Sequence, residues 1–201
     1  MRRPAALALV LWLAGCAGVA PPRPDDPVAA WRAHQAALQA VSAWKLRGKV
    51  GLRGGRKNGQ ASVVWTHREG RDTLRLFGPF GGGLVQLEQT PAGAVLRRAK
   101  GNKIHRGDNA RALLLETTGW DIPFEQLRYW ILGLPAPGPV QSRALDPWGR
   151  LARLEQAGWV IRFESYRRYG DHRLPRRLRV ESRRADAAGV RVQVVVKRWE
   201  L

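Results

Sequence analysis

Residues 119–137, GWDIPFEQLRYWILGLPAP, break the rhythm of a chain that otherwise alternates apolar and polar side chains. Ile122, Phe124, Leu127, Trp130, Ile131 and Leu134 recur largely at intervals of three and four, which predicts a helix with one apolar face. Pro123 suits its first turn, and Gly133 followed by Pro135 stops it. A greasy helix set between two blocks of strands must cover something greasy. A lid or plug on a curved sheet meets that demand.

The strand blocks are read from period-two alternation. Trp44, Leu46, Val50 and Leu52 alternate with Lys45, Arg47, Lys49 and Arg53, a strand with one dry face and one basic, wet face. Further strands are expected at 60–66, 73–77, 84–90, 94–98 and 102–106. After the insert come 141–145, 151–156, 159–165, 177–182 and 190–199, the last with Val190, Val192, Val194 and Val196 on one face. Asp108 or Asn109 caps a helix that runs to Thr118 and is closed by Gly119. Another helix opens at Asp26-Pro27 and runs to about Val41, its stripe of Trp31, His34, Leu38 and Val41 packing on the outside of a sheet. Some eleven short strands joined by tight turns twist and curl, so the fold class is mainly β with added helices: an unclosed antiparallel barrel with an N-terminal helix and a helical lid over a hydrophobic cavity.

Ahead of this domain, assigned to residues 27–201, the chain reads as a bacterial export signal. Arg2 and Arg3 precede a short apolar run, too short to span a bilayer, and Leu13-Ala14-Gly15-Cys16 follows at once. Residues 1–15 are the signal to be removed, and 16–26, with its PPRPDD run, is a tether. Cys16 is the only cysteine, so disulfide frameworks and cysteine metal sites are excluded and an attachment point is the natural use of the thiol. Removal of Arg2 and Arg3 leaves 33 basic against 16 acidic side chains, about +17. Export rules out nucleic acid as the partner. Anionic headgroups or an acidic protein take its place, beside the plain account that an arginine-rich genome supplies part of the excess.

Catalytic signatures are missing. His34, His67, His105 and His172 are scattered without HExxH spacing, and there is neither a GxSxG elbow nor a Walker glycine-lysine pair. Glu155 and Glu164 flank the Ala157-Gly158 turn, and solvated surface charge accounts for them. The chain is expected to bind rather than to catalyse, with no metal. One loop stands out: Gly78-Pro79-Phe80-Gly81-Gly82-Gly83 sets a large aromatic between a stiff proline and three glycines. Phe80 there is either a wedge toward a bilayer or acyl chain, or a side chain folded back onto the core.

Cys16, Trp31-x-x-His34, Trp44-x-x-x-Gly48, Pro79-Phe80-Gly81 and Trp130-Ile131-Leu132-Gly133-Leu134-Pro135 with its preceding GW-x-IP resemble the LolB family of outer-membrane lipoprotein receptors over nearly the whole chain. The resemblance implies that Cys16 is acylated and that the protein is a monomer held by its lipid in the outer membrane, facing the periplasm, since Ala17 is not the aspartate of inner-membrane retention. It further implies acceptance of acylated lipoproteins from the periplasmic carrier LolA and their insertion among outer-membrane phospholipids without ATP, with no cofactor beyond the covalent lipid. Phe80 stands where the family usually has leucine in the membrane-insertion loop formed with Pro79 and Gly81. Trp65, Leu76, Leu127, Trp130, Ile131 and Trp159 are the expected cavity lining, although ordinary core packing accounts equally for several of them. A solidly packed barrel that only docks envelope proteins is the other reading.

Overall fold

The computed structural model describes residues 22–54, 58–78, 84–99, 101–184 and 189–201. Its strands are β1 (Trp44–Arg53), β2 (Gly59–Arg68), β3 (Arg71–Phe77), β4 (Leu84–Thr90), β5 (Gly93–Arg98), β6 (Lys103–Gly107), β7 (Val140–Leu145), β8 (Leu151–Gln156), β9 (Trp159–Tyr169), β10 (His172–Ser182) and β11 (Arg191–Glu200). They form one antiparallel sheet in the order β6-β5-β4-β3-β2-β1-β11-β10-β9-β8-β7. Neighbours in sequence are neighbours in space except β6 and β7, and the last strand returns to pair with the first. β6 and β7 end the sheet without pairing to each other, so the barrel stays open.

Alternation sets the two faces. Leu46 and Leu52 of β1, Val63 and Trp65 of β2, and Val192, Val194 and Val196 of β11 are buried, while the intervening basic residues point to water. One extra residue in β11 breaks the register between Arg47 and Gly48, after which Trp199 rather than an even-numbered residue faces inward. Gly48 belongs to this bulge. A Cβ at that position would lie 2.2 Å from the Val195 carbonyl oxygen, so the strands can approach only over glycine.

Helix α1 (Pro27–Gln39) is capped by Asp26, whose Oδ1 accepts from the amides of Val28 at 2.7 Å and Ala29 at 3.1 Å. It stops at Gln39, before Val41. Trp31 and Leu38 join the same core as the inward residues of the sheet, so α1 closes the concave side near β7 and does not back the outer face as its stripe suggested. Helix α2 (Ala110–Thr118) is capped by Asn109 and ended by left-handed Gly119. Helix α3 (Phe124–Trp130) is shorter than its apolar periodicity implied. Pro123 occupies the cap and not the first turn, and from Ile131 the backbone tightens until Gly133, at φ 84°, reverses it. The β9–β10 hairpin runs well beyond 165 and 177, the ends predicted for its strands, because a charged run hides the alternation and Pro175 is accommodated at a bulge.

Candidate functional site

The concave side of the sheet, covered by α2, the Trp120–Ile122 link and α3, encloses a hollow of about 90 Å³. Leu46, Val50 and Leu52 of β1, Val63 and Trp65 of β2, and Val192 and Val194 of β11 form its floor. Leu114, Trp120, Ile122, Phe124, Leu127 and Ile131 form its roof, and every lining residue is hydrophobic. Such a space offers a guest only dispersion and relief from water, so it selects hydrocarbon.

Four expected lining residues meet here: Trp65, Leu76, Leu127 and Ile131. Trp130 and Trp159 do not. Trp130 is fully buried and turned toward β8, where its Nε1–H donates to Gln156 Oε1 at 2.9 Å. The same oxygen accepts from the Ala136 amide at 2.9 Å, and Gln156 Nε2 donates back to the Ala136 carbonyl at 2.7 Å. An indole and both backbone polar groups of one residue, Ala136, thus share a single buried carboxamide, which anchors the end of the cover. Trp159 is packed in the core beside that anchor, opposite Gln156 in the register, so it supports the wall without reaching the hollow. Cys16, the signal, most of the tether and the Pro79, Phe80 and Gly81 loop lie outside the described residues.

Other attachments hold the cover down. Gln89 Oε1 accepts from the Ala110 amide at 2.6 Å at the start of α2. The Asp121 carboxylate takes a two-pronged bond from Arg111 and lies 3.7 Å from Arg184. The Trp120 ring lies so close to Gly59 that a Cβ there would be 3.1 Å from its edge. Beneath α3, Trp65 stacks on Phe124 with centroids 4.8 Å apart. Trp65 Nε1–H donates to Asp72, a buried carboxylate that also faces His67 and lies 3.5 Å from Arg128 of α3. Sequence reading missed Asp72 by leaving it outside the strand expected at 73–77, and missed Gln156 because a polar residue at a strand end carries no burial signal. Among the described residues no group of three or more His, Cys, Asp or Glu is placed to hold a metal ion. No described helix is long and apolar enough to cross a membrane.

An open antiparallel half-barrel with a covered, wholly apolar hollow is the class these features define. The model of a family described as outer membrane lipoprotein LolB matches residues 42–199. A Pseudomonas putida KT2440 protein named outer-membrane lipoprotein LolB is 37% identical over 196 residues, covering 96% of this chain and 92% of its own length. The protein of the same name from Pseudomonas aeruginosa PAO1 is 36% identical over 199 residues, with 98% and 94% covered. The chain belongs to the LolB family. A solved DUF1329 family protein from Desulfovibrio piger superposes with a TM-score of 0.51 at 9% identity, covering 87% of this chain and 93% of that one, a likeness of fold alone.

Proposed function

We propose that this protein is an outer-membrane lipoprotein, anchored through acylated Cys16 and facing the periplasm, that accepts lipoproteins from the periplasmic carrier LolA and passes them into the inner leaflet of the outer membrane. The observation that carries the reading is the wholly apolar hollow beneath a pinned but shallow cover. An acyl chain of about sixteen carbons costs roughly 0.8 kcal/mol per methylene to expose, on the order of 10 kcal/mol in all. Cargo therefore moves only from one shelter to another. A shelter better than the carrier's and poorer than the bilayer makes the sequence of transfers downhill without ATP.

At about 90 Å³ the hollow is smaller than an engineered cavity of about 150 Å³ that admits benzene. A tail with more than twice benzene's carbon count enters only when the cover lifts. The part proposed to lift is the junction of α2 and α3, where Asp121 meets Arg111 and Trp120 lies against Gly59. Pro79, Phe80 and Gly81 then form the loop that meets the bilayer, with Phe80 as the apolar tip. The small hollow also favours a second reading, a docking scaffold whose core never opens.

Transfer of a radiolabelled lipoprotein from purified carrier to this protein and then to liposomes separates the two. A receptor takes the label and delivers it; a scaffold leaves it on the carrier. Phe80→Glu is expected to preserve acceptance and block delivery, and Cys16→Ala to give a soluble chain that still accepts cargo.

A further inference from the structure

The outer face of the sheet carries a second concavity, independent of the hollow. Two open troughs of about 860 and 870 Å³ share Gly51, Gln60 and Gln193 and run along β1. The register explains their form. Gly51 lies directly opposite Gln60 on β2 and Gln193 on β11, so one row across three strands reads carboxamide, bare backbone, carboxamide. On either side, Lys49 and Arg53 rise from β1, while Arg177, Arg179 and Arg191 form the wall on β10 and β11.

Gly51 has no reason of conformation or packing to be glycine. It lies outside the β-bulge of this strand, its φ is not in the left-handed region, and a Cβ built on it meets nothing within 4 Å. A glycine inside a strand weakens it, and such residues otherwise mark places where a ligand or another backbone approaches closely. The electrostatics point the same way. Glu164 is shared by Arg177 and Arg179, and Glu181 by Arg162 and Arg191, so each carboxylate faces two cations. Among the described residues neither Lys49 nor Arg53 has a carboxylate within reach of an ion pair. The trough is left with excess positive charge.

We infer that this trough binds an extended acidic segment of a partner polypeptide. Lys49 to Arg53 spans four residues of strand, on the order of 14 Å, room for about four residues of extended chain. Gln60 and Gln193 each present a donor and an acceptor, the complement of a peptide group. A phosphate group alone accepts only and leaves both carboxamide oxygens unmatched. The basic rim pairs with the carboxylates of the segment, and the absent side chain at Gly51 lets its backbone lie against the sheet.

The test is fluorescence anisotropy of a labelled decapeptide alternating glutamate and glycine, with the full chain in neutral detergent micelles. Saturable binding is expected, weakened about tenfold or more by Gly51→Phe, which fills the floor without altering charge, and equally by Lys49→Glu. Gly51→Ala adds one carbon into open space and keeps the fold, and an unchanged melting temperature verifies this for each variant. Absence of saturable binding overturns the assignment. So does loss with Lys49→Glu but not with Gly51→Phe, which reports charge without a shaped site. Displacement of the peptide by micelles doped with phosphatidylglycerol, equal in the wild type and Gly51→Phe, overturns it in favour of a lipid-facing surface.

Discussion

Trp65 Nε1–H donates to Asp72 Oδ1 at 2.8 Å, joining the indole in the floor of the hollow to a carboxylate only 1% exposed. Asp72 lies opposite His67 across β2 and β3, and its other oxygen is 3.5 Å from Arg128 on α3. One acidic side chain therefore ties floor to cover. Asp72→Ala leaves the indole N–H without this acceptor and removes the carboxylate paired with Arg128 of α3, and a loss of about 3 kcal/mol in urea unfolding is expected. Arg128, about one-third exposed, recovers part of its solvation, so the loss falls short of that for a fully buried pair. Asp72→Asn keeps an acceptor for Trp65 and costs about 1 kcal/mol.

Gln156 holds the other end of the cover. Gln156→Leu orphans the Trp130 indole N–H and both backbone polar groups of Ala136 in a buried site, and about 3 kcal/mol of stability is lost. Trp130→Phe removes one donor while Gln156 keeps its bonds to Ala136, and costs less, about 2 kcal/mol. Denaturant titration of the two variants and of the double mutant gives this order and a coupling between them.

Asp121 restrains the α2–α3 junction without contributing to the core. Asp121→Ala removes its ion pairs with Arg111 and Arg184, and uptake of a fluorescent fatty acid by the hollow is expected to quicken several-fold while the melting temperature falls by only a few degrees. Stopped-flow fluorescence measures the first and thermal unfolding the second. An unchanged uptake rate places the moving part elsewhere.

His34 on α1 sits within 6.5 Å of the Tyr166 ring, and its Nε2 is buried without a hydrogen-bond partner among the described residues. Burial, aided by the Arg150 guanidinium, holds its pKa below the usual value; Asp146 opposes this and His172 adds slightly to it. Because the unfolded chain takes up the proton more readily, stability is unaffected above about pH 6.5 and declines as the pH falls below it, until the folded histidine also protonates. His34→Gln is expected to flatten that decline. Unfolding midpoints measured between pH 5 and 8 for both proteins check the sign.

Much of this fold was legible because alternation is a direct consequence of a half-wet sheet. The strand pieces around Leu46, Val63 and Val194 appear in the sequence as they stand in space. The β9–β10 hairpin was underestimated because arginines crowd its far end and Pro175 interrupts the alternation there, although Leu174 is buried and Tyr166 and Tyr169 pack against the core. Trp130 and Trp159 illustrate a different limit. Apolar periodicity reports that a side chain is buried, not against what, and only the Gln156 carboxamide shows that Trp130 is turned away from the hollow. Asp72 was illegible for the converse reason: a carboxylate buried for one indole and one guanidinium looks like a surface charge until its partners are folded around it.

The account rests on the hollow beneath α2 and α3 admitting an acyl tail. Photo-crosslinking addresses this directly, with a diazirine near the tail end of an acylated cargo, the cargo presented by its carrier, and the labelled peptides identified by mass spectrometry. The account predicts adducts on Leu46, Leu76, Leu127 and Ile131, lost when Val63→Trp fills the space. Adducts confined to the outer face of the sheet, or unchanged by the filled core, would contradict it.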